Sequence, residues 1–253
     1  MTVPAWGSTI TTPASSCGCK VLRKGFISFL VLIAPLAALA QSRVAASVEV
    51  KTLANGKVTT VTKREFCNGN GRLVTVFNSP VHYVVTTNLK GEMVTYSPSR
   101  NEAFKDRGEE FSTKDNLLYL FLTGRSADLG LASLGYSLKR SVPEEGGYLK
   151  RIYTTTKKGI VPKVEVVLKD YLPVYVAYLD GSDKVVSKTY LSGYDVSSRF
   201  VFPSRVTGID YINGKDSTVT RTLYSNVVTD SAEPEFSFEL PEGVVSVSNP
   251  LKP

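Results

Sequence analysis

Residues 162–179 read PKVEVVLKDYLPVYVAYL. Val164, Val166 and Leu168 fall on one side of an extended chain, with Lys163 and Glu165 on the other. After a short break Val174, Val176 and Tyr178 repeat the spacing. Side chains alternate across a strand with a period of two, so both segments predict strands with one apolar and one wet face.

The same habit extends in both directions. Val48, Val50 and Thr52 alternate up to Asn55-Gly56, a strong hairpin signal, and Val58 to Cys67 returns. Asn68-Gly69-Asn70-Gly71 is a second turn, followed by strands at Leu73 to Phe77, Val81 to Thr87 and Glu92 to Tyr96. A later group covers Tyr148 to Thr156, Pro162 to Lys169, Val174 to Leu179, Val185 to Tyr194, Phe200 to Ile212 and Ser217 to Asn226. Turns at Lys158-Gly159, Asp180-Gly181 and Asn213-Gly214 separate them. Segments of this length with regular turn signals predict an antiparallel meander.

One region departs from alternation. Between Ser112 and Leu134 the apolar residues are Leu117, Leu118, Leu120, Phe121, Leu122, Leu129, Leu131 and Leu134. Ser112 or Thr113 can cap a helix, Gly124 can end it and Asp128 can start a second. The expected fold class is therefore α+β, mostly β. A single curved antiparallel sheet leaves one side to solvent, and a short helical insert covers its concave face. One short insert does not fill a large concave sheet, so an apolar pocket is expected. We place Leu117, Leu118 and Phe121 of the insert on one side of it and Val164, Val166, Val176, Tyr178 and Phe202 of the sheet on the other. The insert residues are expected to shift to admit a ligand.

At the other end of the chain, Lys20, Arg23 and Lys24 precede an apolar run from Phe26 to Ala37. Ala38-Leu39-Ala40 then offers a small-residue cleavage site before Gln41. This is the secretory signal pattern, and the run is short for a membrane anchor. Residues 1–40 are expected to be removed, with residues 1–19 an extended n-region or an upstream start. Residues 41–253 are expected to form one domain in the periplasm, soluble after cleavage. Cys17 and Cys19 leave with the leader, so Cys67 has no disulfide partner and is expected to be buried.

Charge and residue patterns exclude several functions. The formal net charge is +7, of which the leader carries three. Lys and Arg are scattered, with no basic block interleaved with aromatics, so no nucleic-acid partner is expected. The single histidine, His82, has no triad or zinc spacing around it, and no G-x-S-x-G is present. Glu109-Glu110 and Glu144-Glu145 are adjacent pairs that point apart in a strand. Asp180, Asp183 and Asp195 lack calcium-loop spacing. No catalytic residue, metal or cofactor is expected, and the protein is not expected to be an enzyme.

Three stretches carry a family resemblance. Gly91 to Asn101 follows G-x-x-x-x-Y-x-P-x-x-N. Leu172-Pro173-Val174 runs to the acidic turn Asp180-Gly181. Phe202-Pro203-Ser204-Arg205, then Tyr224 to Val227, lead to a close of the form F-x-F-x-x-P-x-G-V at Phe236 to Val244. In order and spacing these resemble the LolA/LolB-type periplasmic lipoprotein carriers and their outer-membrane lipoprotein-sorting relatives. The resemblance implies an unclosed half β-barrel with helices over its mouth and a cavity that sheathes acyl chains. It also implies lipid or an acylated protein as ligand, a membrane-protein donor or acceptor, and a monomer that moves its cargo toward the outer membrane. Two features differ. Carriers begin with an amphipathic helix, whereas Gln41 to Thr62 reads as strand, turn, strand. The arginine that ties the lid shut in carriers has only Arg64 as a candidate by position. A second function is a sensing or binding module of the same fold, which takes a peptide or lipid and a membrane-protein partner.

Overall fold

The computed structural model describes residues 42–212 and 216–248. The leader expected at residues 1–40, the turn at Asn213-Gly214 and the tail beyond residue 248 lie outside the described residues.

Fourteen strands form one sheet among the described residues. A first meander contains β1 (Arg43–Ala54), β2 (Lys57–Asn68), β3 (Leu73–Ser79), β4 (Tyr83–Thr87), β5 (Glu92–Ser97) and β6 (Glu102–Arg107). A second contains β7 (Ser137–Glu144), β8 (Tyr148–Thr154), β9 (Lys163–Lys169), β10 (Leu172–Leu179), β11 (Val185–Tyr194), β12 (Pro203–Ile212) and β13 (Asp216–Thr229). The meanders join where β1 pairs antiparallel with β13, in the register Val48↔Tyr224. A short β14 (Val245–Ser246) adds parallel to β6. The order runs from β14 and β6 at one edge, through β1 and β13, to β7 at the other edge. The edges do not pair, so the sheet is an open half-barrel rather than a closed one.

The turns follow local chemistry. Asn55 and Gly56 take φ values of 49° and 72°, and Ala54 pairs with Lys57 across them. Positive φ at both positions is the two-residue turn that Asn-Gly favours. Strand β10 begins at Leu172, two residues before the alternation resumes. It is reached by a tight turn at Asp170 and Tyr171, also both at positive φ.

Three strands were not expected: β6, β7 and the two-residue β14. β7 reads SLKRSVPE and is exposed along nearly all its length. An edge strand wet on both faces has no apolar alternation, and its Lys139, Arg140 and Pro143 are residues that discourage further pairing. β6 carries only Ala103 and Phe104 as apolar residues.

The expectation of one solvated face holds for β9–β13, apart from Ala177 and Leu179 of β10, and fails for β1–β6. In the first meander Val44, Ala46, Val48 and Cys67 are buried on one face, against the insert. Their neighbours Ala45 and Phe66, with Val74, Val84, Tyr96 and Ala103, are buried on the other. The cover on that second face is the chain after β13. Phe236 meets Phe66 edge-to-face at 5.4 Å, and Phe238, Leu240 and Val244 extend the contact. Arg64 Nη2 pairs with Glu233 Oε2 at 2.7 Å, and Asn101 Nδ2 donates to the Gly243 carbonyl at 3.0 Å. Consecutive apolar residues such as Val44-Ala45-Ala46 are the mark of a strand buried on both faces. Arg64 thus secures this C-terminal strap, on the face opposite the insert.

Candidate functional site

The insert links β6 to β7, which lie toward opposite edges of the sheet, so it must cross a sheet face. It begins with two 3-10 turns, Glu109–Phe111 and Thr113–Asp115. Ser112 caps the second by accepting from Lys114 N at 3.3 Å. The helix α1 (Leu117–Leu122) is capped instead by Asn116, whose Oδ1 accepts from Tyr119 N at 3.2 Å. Gly124, at φ 70°, ends it. Arg125 N donates to the Leu120 carbonyl at 2.7 Å and Gly124 N to that of Phe121 at 3.2 Å, the paired bonds of a left-handed helix stop.

No second helix follows. Asp128 instead organises turns, its carboxylate accepting from Gly130 N and Ala132 N, both at 3.2 Å. Leu129 and Gly130 both have positive φ, which a right-handed helix cannot continue. Tyr136 closes the insert by donating from its hydroxyl to the Val161 carbonyl at 2.7 Å. Arg151 of β8 reaches up to the Ala127 carbonyl at 3.5 Å. An arginine on the insert's side of the sheet therefore does contact the insert, but it is Arg151 and not Arg64.

The eight residues expected around a pocket divide into three settings. Leu118, Phe121 and Phe202 are packed core, in one cluster with Val44, Ala46, Val48 and Cys67. Phe121 meets Phe202 edge-to-face at 5.1 Å. Val164 and Val166 are wholly buried in a second cluster, beneath Leu131 and Tyr136 of the insert. Leu117, Val176 and Tyr178 face a cleft of about 360 Å³ between the insert and β10–β12. Leu120, Leu129 and Leu134 complete its insert wall, and Thr189, Leu191 and Val206 its floor. The floor residues were overlooked in the sequence, although Val176 pairs with Thr189 and Leu191 with Val206 once the register is known.

Three polar groups converge on this apolar lining: Asp115, Tyr178 and Thr189. Among the described residues none of their side-chain oxygens has a hydrogen-bond partner. Asp115 is exposed, yet its carboxyl is held above the usual carboxylate range by the surrounding apolar walls, against the pull of Lys114 and Arg125. Burial also raises the Tyr178 hydroxyl, and the charges of Tyr136 and Asp115 add to it.

Elsewhere, His82 Nδ1 lies 2.9 Å from the Phe77 carbonyl on an exposed turn. Among the described residues no group of three or more His, Cys, Asp or Glu could hold a metal ion, and no helix is long and apolar enough to cross a membrane.

The fold has known counterparts. A DUF1329 family protein from Desulfovibrio piger superposes with a TM-score of 0.55 at 15% identity, over 78% of this chain and 90% of that one. A putative outer membrane lipoprotein-sorting protein domain from Vibrio parahaemolyticus gives 0.52 at 14% identity, over 77% and 87%. A LolA superfamily protein from Nitrosomonas europaea gives 0.51 at 14% identity, over 74% and 86%. The chain has the fold of these proteins. No protein-family model matches its sequence, and no curated protein does.

Proposed function

We propose that this chain, built on the LolA-type fold, is a non-enzymatic carrier of hydrophobic ligands. In this reading residues 1–40 are an export leader and residues 41–253 a single domain working in the periplasm. Its cargo is a lipid or the acyl part of a lipoprotein, carried through water toward the outer membrane and handed between membrane partners. The observation that carries the reading is the apolar cleft beneath the insert. Each methylene moved from water into such a site contributes about 0.8 kcal/mol, so a sheathed acyl chain is held without covalent chemistry.

Entry in this reading falls to the turns at residues 125–136 rather than to α1, whose Leu118 is wholly buried. Arg151 is the latch on that lip, because its bond to the Ala127 carbonyl is broken when the lip lifts. The test is native purification of the exported protein followed by mass spectrometry of what it holds. Stoichiometric lipid, or saturable binding of a fluorescent fatty-acyl probe, is the expected result. An empty protein that also refuses the probe would overturn the proposal.

A further inference from the structure

The cleft is small and is bounded by packed core on two sides. Toward α1 it meets the packed cluster of Leu118, Phe121 and Phe202. Toward β9 it meets Val164, Val166 and Leu168, none more than 1% exposed. Neither side has room to give without repacking a core. A volume of about 360 Å³, at roughly 30 Å³ for each non-hydrogen atom (the share of one liquid water), seats about a dozen such atoms. Lipids with two or three long chains carry several times that number.

The polar groups add a second restriction. Ionised Asp115 only accepts hydrogen bonds, while the Tyr178 and Thr189 hydroxyls both donate and accept. All three face an otherwise aliphatic lining and have no partner among the described residues. A ligand matched to this site has an apolar tail and one head that donates hydrogen bonds.

We propose that the cleft takes a single-chain amphiphile of about ten to twelve carbons with a hydrogen-bond-donating head, such as a primary amine or alcohol. The head lies against Asp115 and Tyr178, and the tail runs along Leu120, Leu129, Leu191 and Val206. The assignment rests on the carrier reading of the same cleft and narrows its cargo.

Calorimetric titration with n-alkylamines and n-alkanols of eight to sixteen carbons, below their micelle concentrations, tests it. Affinity rises about four-fold with each added methylene until roughly the twelfth carbon, and then levels. Dodecylamine binds at least five-fold tighter than dodecanoate. Asp115→Asn removes that preference and leaves the length limit in place. Leu134→Trp, at the half-exposed rim, moves the limit to shorter chains without threatening the core. Affinity still climbing at sixteen carbons, or a phosphatidylcholine with two long chains binding as tightly as dodecylamine, would overturn the single-chain assignment while the carrier reading stands. Refusal of every amphiphile by protein that melts normally would end both.

Discussion

The insert meets the sheet in two ways. Toward β1 and β12 the contact under α1 is filled, whereas over β10–β12 the insert leaves a cleft between Leu117 and Leu120 of α1 and Leu129 and Leu134 of the turns at residues 125–136. Sheet face and strand period are the same in both places, so the difference lies in the insert. Helix α1 reads LLYLFL, with Leu118, Tyr119, Leu120 and Phe121 all buried. Ala46 below it is small and wholly buried, which lets the helix approach closely. In the turns that follow, Leu131 and Tyr136 pack over β9, while Ala127, Gly130, Ala132, Ser133 and Gly135 are too small to fill the space over β10–β12. Leu129 and Leu134 span the gap as walls. A chain that fills and then under-fills the same face gains an anchor and an opening from one short connection.

The largest effect that would break this contrast is at Phe121. If the α1 side is filled core, Phe121→Ala costs about 3–5 kcal/mol of stability, read from denaturant unfolding. A loss of less than about 1 kcal/mol would mean that α1 is a loose lid, and the two regions would no longer differ.

A second test reads the dryness of the filled side from Cys67, which is wholly buried there. Burial, with the nearby Glu65 charge adding to it, pushes its thiol up from 9.0 to about 12. The neutral thiol is thus the folded form, while the unfolded chain ionises near pH 9. This contribution to stability is fully present below pH 9. It falls by about 1.4 kcal/mol per pH unit as pH rises toward 12, because only the unfolded state releases the proton. Unfolding of wild type and Cys67→Ala measured across pH 8.5–11 isolates the effect, since other titrating groups are common to both. Parallel curves for the two proteins would show that water reaches the thiol.

The smallest effect sharpens the contrast from the other side. Leu134 forms the rim of the cleft and is 36% exposed. Leu134→Ala is expected to change stability by no more than about 0.5 kcal/mol, as for surface positions generally. A core-sized loss would mean that the turns pack as tightly as α1.

Much of this architecture is legible in local chemistry. The Asn55-Gly56 hairpin, the stop at Gly124 and the alternation of β9 and β10 each depend on a few neighbouring residues. The edge strand β7, and β6 next to the other edge, are not legible in that way, because their pairing partners define them and their own side chains carry no pattern. Asp128 illustrates the same limit. Its carboxylate suits a helix start, yet the positive φ values at Leu129 and Gly130 turn it into a turn organiser.

The candidate site is legible only in part. Leu117, Val176 and Tyr178 line the cleft, while Leu118, Phe121, Val164, Val166 and Phe202 are in packed core. Apolar periodicity says which face a residue occupies and says nothing of whether the space above it is filled. That depends on which part of the insert lies overhead.

The sequence by itself determined the strand-rich class, the apolar face of β9–β13, the break in alternation between residues 112 and 134, and the burial of Cys67. These follow from period, turn residues and composition, which act over a few residues. Tertiary structure alone decided that β1 meets β13, that the chain after Thr229 straps the opposite face of β1–β6, and that Arg151 rather than Arg64 reaches the insert. Those contacts join residues far apart in the chain. Their energy depends on shape and distance after folding, which no local pattern encodes.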